Sequence, residues 1–188
     1  MRGKGFTLIE LLVVVGIIIA MMGVLIPQID SFQKRQALKN AAEELSANLK
    51  TAQNRALSGV KCNLNSSALS WSIKFIDETS YQLETDCNDE AVSGTPYPVL
   101  TYSFPDSIAV KEFAVWDTLG YEAPACANDN ELKVSFSNIS GKIAFDERSG
   151  TCGLDSAGKV SIVLSQDDSS AAEVRVTIER GGLVKIDQ

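Results

Sequence analysis

An α+β fold is predicted for this chain of 188 residues: a long N-terminal helix packed on an antiparallel β-sheet or sandwich. Three observations predict it. The stretch Leu11 to Ile26 carries no charge at all. Apolar residues then recur at spacings of three and four as far as Ala56, the period of one helix face. After Gly59 no helical period returns, and short alternating runs are separated by Gly, Asn, Asp and Pro.

The first element is the apolar helix. At about 1.5 Å of rise per residue, Phe6 to Ile26 is long enough to cross a bilayer. Arg2 and Lys4 precede it and would stay on the cytoplasmic side by the positive-inside rule. No small-residue cleavage site of the secretory type follows Ile26, so the helix is expected to be retained. Glu10 is the exception within it. An ionised carboxylate near such a segment costs free energy unless paired, which makes Glu10 a functional candidate. Pro27 lacks an amide donor, and with Gly16 and Gly23 it is expected to kink or locally open the helix.

The second element continues the first. Leu38, Ala41, Ala42, Leu45, Leu49, Ala52 and Ala56 fall on one face, while Lys34, Arg35, Lys39, Glu43, Glu44, Lys50 and Arg55 take the others. The alanines, with Ala37, would let a sheet approach closely, and Gly59 marks the stop.

The third part is strand-rich. Ala68 to Ile76 places Leu69, Trp71, Ile73 and Phe75 on one face, Asp77 to Ser80 turns, and Tyr81 to Glu84 returns as a hairpin. Further strands are expected at Pro98 to Phe104, Ile108 to Trp116, Lys133 to Phe136, Lys142 to Phe145, Val160 to Leu164, Glu173 to Glu179 and Leu183 to Ile186. Trp71 and Trp116 fit these strands as core residues.

Composition narrows the chemistry. The chain has no histidine, which removes Ser-His-Asp and Cys-His nucleophile systems and histidine-containing zinc sites. No phosphate-cradling glycine loop or nucleophile elbow occurs, so neither an enzyme nor a cofactor is expected. The formal net charge of −7 repels nucleic acid overall. Cys62, Cys87, Cys126 and Cys152 form no CxxC pair, and beyond a membrane-targeted segment they read as disulfides. Three pairings are open. Cys62 with Cys87 and Cys126 with Cys152 is favoured, since each closes a loop of about 26 residues, for roughly 3 kcal/mol of chain-entropy stabilisation per bridge.

Gly5-Phe6-Thr7-Leu8-Ile9-Glu10, after a short basic leader and before the apolar run, resembles the class III signal of type IV pilins and type II secretion pseudopilins. The resemblance implies that a prepilin peptidase cuts between Gly5 and Phe6 on the cytoplasmic face and that the Phe6 amine is N-methylated. It also gives Glu10 a partner, the α-amine of Phe6 on a neighbouring subunit. Each charge is poorly tolerated alone in lipid, and together they are tolerable. The implied divisions are 1–5 leader, 6–27 transmembrane and filament-core helix, 28–59 amphipathic continuation and 60–188 β-rich domain. The implied partners are the peptidase, other pilin or pseudopilin subunits and the inner membrane.

Leu45-Ser46-Ala47-Asn48-Leu49-Lys50-Thr51-Ala52-Gln53-Asn54-Arg55-Ala56, with a late hairpin from Val174 to Ile186, is similar to the FimT and GspH group of minor pilins and pseudopilins. Some members of that group bind DNA through a Gly-Arg-x-Arg hairpin. Here the corresponding positions read Gly182-Leu183-Val184-Lys185, with neither arginine, which counts against a nucleic-acid partner. A membrane-anchored adhesin is the other alternative. The acidic clusters Asp86, Asp89 and Glu90, Asp129 and Glu131, and Asp167 and Asp168 supply calcium-type oxygens but match no EF-hand, and solvated turns are the expectation. The sequons at Asn65 and Asn138 carry no weight.

Overall fold

A computed structural model describes residues 7–62, 68–87, 97–105, 107–117, 120, 132–138, 142–146, 157–166 and 172–187, with backbone alone at 23–31 and 97–99. The chain divides into two units, Met1–Ala37 and Leu38–Gln188. Helix α1 is Leu8–Leu57. Nine strands follow: β1 Ala68–Phe75, β2 Ser80–Cys87, β3 Tyr97–Ser103, β4 Ile108–Asp117, β5 Lys133–Ser137, β6 Ile143–Asp146, β7 Ala157–Gln166, β8 Glu173–Glu179 and β9 Val184–Asp187. All nine coincide with a segment expected from alternation.

In the first unit every side chain from Leu8 to Met22 is exposed, including Leu8 at 81% and Met21 at 66%. Helical backbone continues through Gly16, Gly23 and Pro27, so the expected opening at Pro27 is not seen. A proline there removes one amide donor, and one lost hydrogen bond does not end a helix that continues on both sides.

In the second unit the predicted stripe is the buried one. Leu38, Ala41, Ala42, Leu45, Leu49, Ala52 and Ala56 are each at most 2% exposed. The helix ends in a Schellman turn: Gly59 N–H donates to Ala56 O at 3.1 Å and Val60 N–H to Arg55 O at 3.1 Å, with Gly59 at φ 62°. Asn48 Nδ2 donates to the Tyr81 hydroxyl at 2.9 Å, and the Arg55 guanidinium lies 4.9 Å from the Trp71 ring centroid. Gln53 Nε2 donates to Gly182 O at 3.2 Å. The helix therefore touches β1, β2 and the β8–β9 turn.

The strands form two antiparallel sheets, in the orders β3-β2-β1-β5-β6 and β4-β7-β8-β9. Trp71, Ile73, Phe75, Tyr81, Leu83, Val134, Phe136 and Phe145 fill the core face of the first sheet. Phe75 meets Phe113 of the second sheet edge-on at 5.3 Å, which joins the two sheets in one core. Burial of these side chains supplies the main stabilisation, about 1.5–3 kcal/mol for each large apolar group.

Leu69 departs from the expected alternation and is 43% exposed. The register between β1 and β2 shifts between Ala68 and Ser70, and the extra residue of this bulge turns Leu69 outward and Ala68 inward. Trp116, expected in the core, is half-buried, and the Lys159 ammonium sits 4.2 Å from its ring centroid.

Candidate functional site

Helix α1 starts on a capping box. Thr7 O accepts the first helical bond, from Leu11 N–H at 3.3 Å, which makes Thr7 the N-cap. Glu10 N–H donates to Thr7 Oγ1 at 3.3 Å, and Thr7 N–H donates back to Glu10 Oε2 at 3.2 Å. The Thr7 hydroxyl also donates to the same Oε2, at 3.0 Å. Two amides that have no helical partner are satisfied reciprocally, and the carboxylate sits where the helix dipole favours a negative charge. Glu10 is exposed, so this chain alone does not bury its charge.

Thr7 was not among the residues singled out in the sequence. The signal was present, since Thr7-Leu8-Ile9-Glu10 before an apolar run is the S/T-x-x-E pattern of a capping box. Gly5 and Phe6 lie outside the described residues. The structure thus places Glu10 and adds Thr7 to it.

Around Glu10 the helix is apolar on all sides, and its apolar side chains from Leu8 to Met22 contact nothing that buries them. Among the described residues, no helix is long and apolar enough to cross a membrane. Leu8–Met22 supplies about 22 Å of rise against a hydrocarbon core of about 30 Å.

Cys62 and Cys87 form a disulfide with their Cα atoms 6.0 Å apart. It ties the exit of α1 to the last residue of β2, as the favoured pairing has it. Cys126 and Cys152 lie outside the described residues.

The β8–β9 hairpin is the place a basic nucleic-acid surface would occupy. Within it Lys185 Nζ lies 3.3 Å from Glu179 Oε1, Glu173 at the start of β8 pairs with Lys111 of β4, and Arg175 is exposed. The Glu173 hydrogen bond and charge hold the Lys111 ammonium above the usual lysine range. The turn itself docks on α1, with Gly182 at φ 92° and its carbonyl on Gln53.

Of the acidic clusters, Asp86 is described; it accepts from Ser70 Oγ at 2.8 Å and lies 3.5 Å from Lys133 Nζ. Asp89, Glu90, Asp129, Glu131, Asp167 and Asp168 lie outside the described residues. Among the described residues no group of three or more acidic or cysteine side chains is placed to hold a metal. Asn138 donates through Nδ2 to Ala68 O at 3.1 Å, a structural role beside the bulge.

No protein-family model matches the chain, and no curated relative does. Among solved structures it is similar to the type IV minor pilin FimU of Pseudomonas aeruginosa. One crystal form aligns at 14% identity with a TM-score of 0.47, covering 84% of this chain and 92% of that one. A second crystal form aligns at 14% identity with a TM-score of 0.44, covering 80% and 93%.

Proposed function

We propose that this chain is a pilin-like structural subunit, anchored in the inner membrane by its N-terminal helix and assembled through that helix into a type IV pilus or type II secretion pseudopilus. The observation that carries the reading is the run from Gly5 to Glu10 before a helical stretch whose apolar side chains from Leu8 to Met22 are all exposed in the single chain. A helix that is apolar all round needs surroundings that bury it from every side, either lipid or the helices of neighbouring subunits.

The chemistry follows from the charges. Cutting after Gly5 creates an α-amine at Phe6, which in this reading is then N-methylated. Glu10 of one subunit pairs with that amine on the next, and each charge loses its desolvation penalty only when the other arrives. The capping box holds the carboxylate by Oε2 in a fixed orientation, so less freedom is lost when the pair forms. The disulfide-bearing β domain then faces outward on the filament. The role is structural, with no reaction catalysed.

Glu10→Ala tests this reading. Membrane fractionation of the variant should match the wild type, while its recovery in sheared filaments or cross-linked pseudopili should drop at least about tenfold, the equivalent of one lost ion pair of about 1.4 kcal/mol. Undiminished incorporation would refute the pairing. A DNA-binding minor pilin is the alternative, and the absence of both arginines from Gly182-Leu183-Val184-Lys185, with Lys185 paired to Glu179, counts against it.

A further inference from the structure

We infer that the first sheet carries a self-forming cross-link on the face turned away from the core: an isopeptide bond between Lys133 Nζ and Asp86 Cγ, with Glu84 moving the protons. It is a one-time reaction of the chain on itself, so the role of the subunit stays structural. The inference does not depend on membrane anchoring.

Trp71, Ile73 and Phe75 of β1 face the core, so alternation places Ser70, Ser72 and Lys74 on the other face. Register sets Asp86 of β2 opposite Ser70 and Glu84 opposite Ser72, while Lys133 of β5 lies opposite Lys74. The lysine stem crosses β1 to reach β2, and its Nζ lies 3.5 Å from Asp86 Oδ2 and 3.8 Å from Glu84 Oε2. Ser72, fully buried beside Glu84, is small enough to leave room for that crossing.

Glu84 is the anomaly of the cluster. Its side chain is 6% exposed, and among the described residues its Oε2 accepts no hydrogen bond. A buried carboxylate oxygen without a donor is costly, and this one stands beside an ammonium with protons to give. Ser70 Oγ donates to Asp86 Oδ2 at 2.8 Å, which polarises that carboxyl and steadies the charge its oxygen gains on attack. Asp86 keeps 37% of its side chain exposed, which gives the water released in the reaction a way out.

The step balances within these groups. Glu84 Oε2 takes one proton from the Lys133 ammonium and hands it to an Asp86 oxygen. The amine lone pair then attacks Cγ and the C–N bond forms. Glu84 takes a second proton from that nitrogen and gives it to the same oxygen, whose bond to Cγ breaks as water leaves. The third proton stays on the amide nitrogen, and Glu84 ends as the carboxylate it began as. Well-oriented groups held in one fold reach effective concentrations of roughly 10⁵–10⁸ M, which favours the amide over its hydrolysis. The bond ties residues 47 apart in sequence and joins β2 to β5 across β1, next to the disulfide at Cys87.

The test is the intact mass of the full chain, purified in detergent and reduced to open its disulfides, followed by tandem spectra of its tryptic peptides. The wild type should be lighter than its sequence by one water, and a branched peptide should join Lys133 to Asp86. Lys133→Arg, which keeps the positive charge but cannot form the bond, should carry its full mass, and so should Glu84→Gln. Asp86→Asn should lose one ammonia in place of the water. A wild type at full mass would overturn the cross-link, and so would a water deficit that persists in Lys133→Arg or a branched peptide at another pair. Loss of water rather than ammonia from Asp86→Asn would overturn the assignment to this carboxyl.

Discussion

The two halves of α1 are built from similar apolar residues and meet opposite fates. From Leu8 to Met22 leucine, isoleucine, valine and methionine surround the helix and all are exposed. From Leu38 to Ala56 the apolar residues keep to one stripe, and each of the seven is at most 2% exposed. A stripe can be covered by one surface, and the chain's own sheets provide it. A cylinder apolar on every side needs cover all round, which in the proposed function comes from lipid or the helices of neighbouring subunits.

Core truncation should separate the halves most strongly. Leu49→Ala leaves a cavity at a fully buried position and should cost about 2–5 kcal/mol of domain stability. Leu12→Ala, at a position 66% exposed, should shift it by less than about 0.5 kcal/mol. Thermal melts of the detergent-solubilised full chain, followed by near-ultraviolet circular dichroism, check both. Equal shifts would erase the contrast.

The Cys62–Cys87 bridge staples only the second half. Cys62→Ser/Cys87→Ser should lower domain stability by about 3 kcal/mol in the same melt, while the far-ultraviolet signal of the N-terminal helix persists. The capping box belongs to the first half and should behave in the reverse way. Thr7→Val should raise amide hydrogen exchange in the first turn of α1 by about fivefold, for roughly 1 kcal/mol of lost cap, and leave the domain melt in place.

The smallest effects are on pH, and Tyr81 and Asp77 of the second unit carry them. The Tyr81 hydroxyl is pushed up to about 12, mainly by burial. Its folded value lies above its unfolded value of 10.0, so the stability it supports is complete below pH 10 and is lost as pH rises toward 12. Asp77 goes the other way. Hydrogen bonds from the Ser80 and Thr79 hydroxyls hold its carboxyl below the usual carboxylate range, so its contribution is present above pH 3.8 and is lost as pH falls through the folded value. Tyr81→Phe should flatten the alkaline limb of a stability profile and Asp77→Asn the acid limb, with no change in the N-terminal helix.

Much of this was legible in the sequence because it depends on local period. The helix stripe, the Gly59 stop and the positions of nine strands are all set within a few residues of one another. The bulge at Leu69 was not legible, since register is fixed by a partner strand rather than by alternation alone. The division into two sheets is likewise non-local, as β1 pairs with β5 and β4 with β7 across intervening strands. The docking of Gly182 on Gln53 joins residues 129 positions apart and leaves no local mark. At the candidate site the reverse holds. Glu10 was conspicuous as a lone charge, while Thr7 passed as an ordinary polar residue although the capping pattern was there to read.

The measurement that tests the central claim most directly is the intact mass of the chain extracted from membranes of cells carrying a prepilin peptidase. The account predicts a chain that begins at Phe6, lacks Met1–Gly5 and carries one added methyl group, with the apolar half retained. A mass equal to the unprocessed 188 residues, or a cut beyond Ile26 that removes the helix, would contradict it.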